Sequence, residues 1–206
     1  MKKSKNIQAN TPRPYLSFSQ LSLWERDKEL YRRSYIEGIK QPENQYLRLG
    51  KALADRLETG VKTNNKLIEY LDIFMPTYPK IEFEIEADFE GIPVLGKLDG
   101  FKRRGLIIGE YKTGKKWNQS MVDKSTQLTF YAMLVWLKYK RMPSEICLHW
   151  AKTEINEDGK LVINGDIKTF KTIRTVSDII LMRGRIKKCW DGIQEMCSKY
   201  EMSKMW

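Results

Sequence analysis

Two carboxylates and a lysine near the middle of the chain are the residues best suited to do chemistry together. Asp99 closes the segment Gly96–Asp99, and Glu110 and Lys112 are two residues apart in a later strand-like segment. Because side chains alternate across a strand, Glu110 and Lys112 leave the same face, and an adjacent antiparallel strand would bring Asp99 within reach. Carboxylate oxygens are the ligands that Mg²⁺ or Mn²⁺ prefers. The pattern predicts a site for such a cation, with Lys112 stabilising negative charge at a phosphate. Taken alone, Glu110 and Lys112 would also suit an ion pair on a solvated strand face.

Further polar and aromatic residues follow this segment. Gln127 and Tyr131 are four residues apart on a predicted helix and therefore share one of its faces. By themselves they are more typical of a buried, hydrogen-bonded tyrosine beside a capping glutamine. Lys115, Lys116 and Trp117 could follow a nucleic-acid backbone and stack on a base, or the lysines could simply form a solvated collar.

Alternating apolar residues predict three consecutive strands. Ile81–Phe89 alternates with acidic residues, a pattern typical of a half-buried strand. Its glutamates Glu82, Glu84 and Glu86 form an acidic face that is expected to be solvated, although one of them could reach the metal. Ile92–Lys102 and Leu106–Thr113 follow after short turns, which predicts an antiparallel meander.

Helical spacing accounts for most of the remaining chain. Further strands are predicted over Glu145–Lys152 and, weakly, over Lys160–Ile163. The predicted helices run from Ser17 to near Gly38, over Tyr46–Glu58, Lys66–Phe74 and Ser120–Tyr139, and from Ser177 towards the C terminus. This order indicates a single α/β domain over residues 15–206, with a central mixed sheet, flanking helices and a long C-terminal helix. Residues 1–14 are expected to form a flexible basic arm.

Three segments together resemble a known family. Gly96–Asp99, Glu110-Tyr111-Lys112-Thr113 and Gln127–Tyr131 resemble the PD-(D/E)XK nuclease superfamily, specifically its RecB-like exonuclease branch, and Phe18–Tyr35 resembles the aromatic-rich first helix of that branch. The resemblance covers about Ser17 to Trp150. It implies a restriction-endonuclease-like core and a Mg²⁺- or Mn²⁺-dependent DNA nuclease, more an exonuclease of recombination, repair or replication than a restriction enzyme.

The resemblance also implies roles for individual residues. Asp99, Glu110 and the Tyr111 backbone carbonyl would be metal ligands, and Lys112 would be the catalytic lysine. Gln127 and Tyr131 would line the rim of the site that faces DNA.

The chain departs from the family pattern at two positions. Relatives often carry a metal-binding histidine where Ala54 stands. Asp55 or Glu58 could replace it, water could fill the position, or the activity could be weakened; Asp55 could also be an ordinary solvated helix residue. Some relatives hold an iron–sulfur cluster whose first cysteine lies near Asp27, which is not cysteine, so no iron–sulfur cluster is expected.

Composition narrows the class of protein. The 37 Lys and Arg residues against 26 Asp and Glu residues give a net charge of +11, which suits DNA as a partner. Three cysteines and one histidine exclude a disulfide framework, a four-cysteine metal site and a two-histidine zinc motif. No apolar run approaches about 18–20 residues, so no membrane association is expected, and the polar start indicates a cytoplasmic protein without a signal peptide.

Two alternatives to an independent nuclease remain open. The chain could be a catalytically weakened nuclease-fold protein that only binds DNA, as the alanine at position 54 would favour. It could also be a nuclease subunit that acts only with a helicase or a single-strand annealing protein, with its C-terminal helix docking the partner. The chain carries no phosphate-binding loop, so any ATP-driven motor would be another chain. The oligomeric state is left open.

Overall fold

In the computed structural model, which describes residues 11–114 and 116–203, five strands form one mixed sheet. In chain order the strands are β1 (Lys80–Phe89), β2 (Ile92–Lys102), β3 (Ile107–Gly114), β4 (Glu145–Ile155) and β5 (Leu161–Thr172). Their order in the sheet is the same as in the chain. β1, β2 and β3 form the predicted antiparallel meander, β4 pairs in parallel with β3, and β5 returns antiparallel to β4. The mixed sheet of the predicted α/β fold is confirmed.

The helices lie before, between and after the strands. They are α1 (Phe18–Arg26), α2 (Lys28–Tyr31) with a π-helical turn (Arg32–Ile36), α3 (Gln45–Thr59), α4 (Lys66–Phe74), α5 (Gln119–Asp123), α6 (Thr126–Tyr139) and α7 (Val176–Ser203). α5 and α6 form the crossover that the parallel pair β3 and β4 requires. α7 is the predicted long C-terminal helix, and apolar residues at helical spacing, among them Ile179, Met182 and Ile186, are buried along it.

Some predicted boundaries are wrong for identifiable reasons. The predicted first helix is interrupted at Asp27, whose backbone is extended and whose side chain accepts the Leu30 N–H as an N-cap. The predicted helix over 120–139 is two helices, because Ser125 is extended and caps the start of α6 by accepting the Leu128 N–H. β5 is much longer than the predicted four residues, since polar side chains along its exposed parts obscured the alternation.

Helices cover both faces of the sheet. α6, α7 and α1 bury the main apolar core against one face, around residues such as Ile85, Leu98 and Ile108. α3 and α4 bury a smaller core against the other face, around Leu53 and Leu71. Parallel strands are usually buried on both faces, and here helices cover both faces of the parallel pair β3 and β4. The layers therefore place the middle of β3 inside the protein, between α6 and α3.

Two further observations concern the cysteines and membrane-spanning helices. Cys147, Cys189 and Cys197 are free and buried. Across residues 11–114 and 116–203, no helix is both long and apolar enough to cross a bilayer. Most of the predicted N-terminal arm, residues 1–10, lies outside the described residues.

Candidate metal centre

The candidate site lies where β2 and β3 separate. The two strands pair from Lys102 opposite Ile107 to Gly100 opposite Gly109, and Asp99 follows directly beyond the last pair. There the Asp99 carboxylate replaces a strand partner, because its Oδ2 accepts the Tyr111 backbone N–H at 2.8 Å. A backbone N–H at such a fork needs an acceptor. The fork therefore holds the Asp99 carboxylate against β3, as predicted.

Glu110 is the most deeply buried acidic residue of the site. Its side chain is 1% exposed. Its Oε1 accepts a hydrogen bond from Gln127 Nε2 at 2.8 Å and also contacts Lys112 Nζ. Its Oε2 is buried and, within the described part of the chain, has no hydrogen-bond partner. A buried carboxylate oxygen without a partner is costly, and a bound cation would remove that cost.

Burial and mutual repulsion shift the protonation of this group. Burial, and then the neighbouring Glu110 charge, raise the pKa of Asp99 well above its usual range, although Lys112 and the Tyr111 N–H oppose the shift. Burial acts to lower the pKa of Lys112, but Glu110 and Asp99 outweigh it and raise that pKa above its ordinary value. Lys112 therefore stays an ammonium at neutral pH. The two carboxylates are held so close that a compensating positive charge would favour their ionised forms.

α6 supports the site from one face of the sheet. Gln127 donates from the same Nε2 to Glu110 and, at 3.1 Å, to the Tyr131 hydroxyl. The predicted shared face of Gln127 and Tyr131 is therefore real, and it faces the carboxylates. Burial, followed by the Glu110 and Asp99 charges, raises the pKa of Tyr131, so its hydroxyl stays protonated.

The sequence reasoning missed Arg174, which fixes the position of α6. Arg174 is 6% exposed. Its guanidinium donates to the backbone carbonyls of Val122 and Ser125, at 2.9 and 3.2 Å, and to Thr129 Oγ1 at 2.8 Å. These bonds tie the corner between α5 and α6, two residues before Gln127. Nothing in the sequence marks this arginine among the other basic residues.

Tyr78, which no pattern in the sequence predicted as part of the site, packs against Gly100 and Gly109 beside the fork. Gly100 and Gly109 leave the space that its ring fills, because a Cβ at either position would lie within 2.4 Å of a ring atom. The Tyr78 hydroxyl is 2.8 Å from His149 Nε2, and His149 Nδ1 is 2.8 Å from Thr169 Oγ1. Burial lowers the pKa of His149 to about 4, so His149 is a neutral, packed residue.

Among the described residues, Asp55, Lys116 and Trp117 make no hydrogen bond or ion pair with Asp99, Glu110 or Lys112. Asp55 is exposed on α3, and its backbone carbonyl accepts a hydrogen bond from Thr59 Oγ1. Lys116 is exposed, whereas Trp117 is partly buried against the main core. Lys115 lies outside the described residues.

The donor set suits a hard divalent cation, but it is incomplete. Asp99 and Glu110 offer carboxylate oxygens, one of them buried and unpartnered, which is the chemistry that Mg²⁺ and Mn²⁺ prefer. As the described side chains stand, however, no three of the residue types His, Cys, Asp and Glu converge on one point. Waters, a backbone carbonyl or a rearranged side chain would have to complete the coordination.

Comparisons with known proteins give a structural likeness. No family model and no curated protein sequence matches the chain. The structure of a protein named "Putative exonuclease" from Eubacterium rectale superposes with a TM-score of 0.59, at 14% identity, over 94% of this chain and 88% of that one. The two chains share a fold. A phage-related exonuclease from Haemophilus somnus 129PT aligns with a TM-score of 0.49, at 12% identity, over 85% of this chain and 82% of that one.

Proposed function

We propose that this protein is a Mg²⁺- or Mn²⁺-dependent deoxyribonuclease that hydrolyses phosphodiester bonds as an exonuclease. The observation that carries the proposal is the buried fork of Asp99, Glu110 and Lys112, in which Glu110 Oε2 has no partner among the described residues. The net charge of +11 suits a DNA substrate. The name of the Eubacterium rectale protein that shares the fold supports exonuclease action.

Each residue of the site has a distinct role in this proposal. Asp99 and Glu110 would hold the cation, with the Tyr111 carbonyl as the further ligand that the family resemblance implies. When bound, a divalent cation supplies a Lewis acid for the scissile phosphate and lowers the pKa of an attacking water. Lys112, kept protonated by Glu110, stabilises the negative charge that develops on the phosphate. Gln127 keeps Glu110 in one orientation through its 2.8 Å hydrogen bond.

Cleavage of end-labelled DNA tests the proposal. Linear single- and double-stranded DNA and closed circular DNA are incubated with the protein and Mn²⁺, with a chelator as the blank. We expect the protein to release short products from linear DNA only. Lys112→Ala should reduce the rate of cleavage by about 100-fold or more. Lys168→Ala, an exposed lysine on β5, is the matched control and should cleave at the normal rate.

Three results would contradict the proposal in whole or in part. Metal-independent DNA binding without cleavage under either cation would instead indicate a nuclease fold that only binds DNA. Equal cleavage by wild type and Lys112→Ala would place the chemistry elsewhere. Cutting of the closed circle would retain a nuclease but remove the exonuclease assignment.

A further inference from the structure

Glu82 has an unusual backbone for a residue inside a strand. Its φ is 51°, in the left-handed region, which costs a residue other than glycine about 1–2 kcal/mol. Among the described residues, the other positive-φ positions that are not glycine are turn or helix-end residues: Glu90, Leu106 and Lys140. Strain of this kind persists where the surrounding structure holds it, often at functional sites.

The strained residue faces Asp99 across the sheet. Ile81 pairs with Gly100 and Phe83 pairs with Leu98, so Glu82 lies opposite Asp99 in the register. This is the one position between Lys80 and Phe89 at which the β1 and β2 register has no recorded pair.

The alternation of side chains between the two faces of β2 is interrupted at the same place. A Cβ on Gly96 would meet Leu134 of α6, and Phe101 stacks on Tyr139 of α6 with ring centroids 5.7 Å apart. Gly96 and Phe101 are five residues apart, so regular alternation would place them on opposite faces of β2. The irregularity that brings both to the α6 face therefore falls at Asp99 and its neighbour Glu82.

The Glu82 side chain is mostly buried and forms an ion pair with Lys97, which also lies near a second carboxylate. The side chain is 14% exposed, whereas the sequence predicted a solvated glutamate. Its Oε2 lies 2.7 Å from Lys97 Nζ. Lys97 is 46% exposed and also lies 3.8 Å from Glu58. Because Glu82 lies opposite Asp99 in the register, its carboxylate belongs to the same part of the sheet as the site.

We propose that Glu82 is the third carboxylate of the metal site, and that cation binding exchanges its partner Lys97 for the cation. This inference rests on the proposed function. Three carboxylates and the Lys112 ammonium carry a net charge of −2, which a divalent cation neutralises. The unpartnered Glu110 Oε2 marks where a ligand is missing. No three donors converge in the described part of the chain, so the Glu82 side chain would have to turn from Lys97 to reach the cation. The released Lys97 is already half exposed, so water can solvate its ammonium at little cost.

Titration of the protein with Mn²⁺ alone, by calorimetry at one fixed pH and without DNA, tests the inference. Glu82→Gln is expected to weaken Mn²⁺ binding about tenfold. Lys97→Met is expected to tighten it about two- to threefold, the worth of a half-exposed ion pair that no longer competes. A merely structural role for Glu82 would not make the loss of Lys97 favourable. Glu84→Gln is the matched control, because Glu84 is exposed on the same strand and faces Lys97 in register; it should bind Mn²⁺ normally.

A second variant distinguishes the loss of the Glu82 carboxylate from any effect of the strained backbone at this position. Glu82→Gly removes the carboxylate but accepts a positive φ without strain. It is expected to weaken Mn²⁺ binding as much as Glu82→Gln while melting at a higher temperature than that variant, so the test survives poor folding of the glutamine variant.

The outcomes distinguish this inference from the proposed function. Normal Mn²⁺ binding by both Glu82 variants, together with loss of binding in Asp99→Asn, would overturn the role of Glu82 and leave the nuclease site intact. Unchanged or weaker binding in Lys97→Met would overturn the exchange of partners. Normal binding in Asp99→Asn, or no binding by the wild type, would overturn the metal site and the inference with it.

Discussion

Replacing Gly109 by alanine should destabilise the protein by about 2 kcal/mol. A Cβ at this position would lie 2.3 Å from Cε2 and 2.4 Å from Cζ of Tyr78, whereas carbon atoms in contact are about 3.5–4.0 Å apart. The ring cannot simply retreat, since its hydroxyl is 2.8 Å from His149 Nε2 and a partner there would be lost. Overpacking of this kind costs about 1–3 kcal/mol, and each kcal/mol lowers the Tm of a chain of this size by about 2–4 °C.

Thermal unfolding followed by circular dichroism measures this cost. The expected decrease in Tm for Gly109→Ala is about 6 °C. Gly184→Ala is the matched control, because Gly184 lies in α7 with open space where its Cβ would stand. Alanine is a better helix former than glycine by about 1 kcal/mol, so this control should melt at a slightly higher temperature.

We also expect the effects of substitutions at Gly109 and Tyr78 on the free energy of unfolding to be coupled. In a Tyr78→Ala background the ring is absent, and Gly109→Ala should then cost less than about 0.5 kcal/mol. An unchanged Tm for Gly109→Ala, or an equal loss in both backgrounds, would refute the account of why glycine occupies this position.

Other predictions concern the site directly. Asp99→Asn should abolish Mn²⁺-dependent cleavage yet raise the Tm of the metal-free protein by about 3 °C, since asparagine still accepts the Tyr111 N–H but removes one of two neighbouring buried charges; a lower Tm would contradict this. Because the pKa of Asp99 is raised, its proton competes with the cation, so Mn²⁺ affinity measured by calorimetry should fall as the pH is lowered through that pKa; a pH-independent affinity would contradict the shift. Arg174→Met should lower the Tm by about 6–12 °C, the effect of about 3 kcal/mol, by leaving the buried carbonyls at the α5–α6 corner without donors; a melt within 2 °C of wild type would show that water replaces the guanidinium. Gln127→Leu should reduce kcat more than it raises KM for DNA, because Glu110 loses an orienting donor; a change in KM alone would indicate a DNA-contacting role instead.

The sequence was sufficient to predict the elements in which one physical signal dominates. The bounds of β2 and α4 match the prediction, because apolar alternation or a helical stripe runs between clear breakers in both segments. Glu110 and Lys112 were predicted to share a face because side chains alternate along a strand, and the structure places them in contact. The split of the predicted helix before α6 depends on Ser125, whose preference for an N-cap competes with the helical pattern around it.

The supporting residues could not be found in the same way. Tyr78 and Arg174 act on the site through contacts with residues 71 and 45–52 positions away along the chain, and local patterns carry no information about such contacts. The left-handed backbone of Glu82 likewise belongs to the point at which the pairing of β1 with β2 is interrupted, which depends on a strand distant in the chain. By residue type alone, Glu82 resembles the exposed Glu84 and Glu86 beside it.

Anomalous diffraction from crystals soaked in Mn²⁺ tests the central claim most directly, because it locates the cation without relying on activity. The account predicts one strong anomalous peak at about 2.0–2.3 Å from an oxygen of Asp99 and from Glu110 Oε2. Full soaking with no peak at the fork, or a peak bound by other residues while Glu110 Oε2 remains unpartnered, would contradict it.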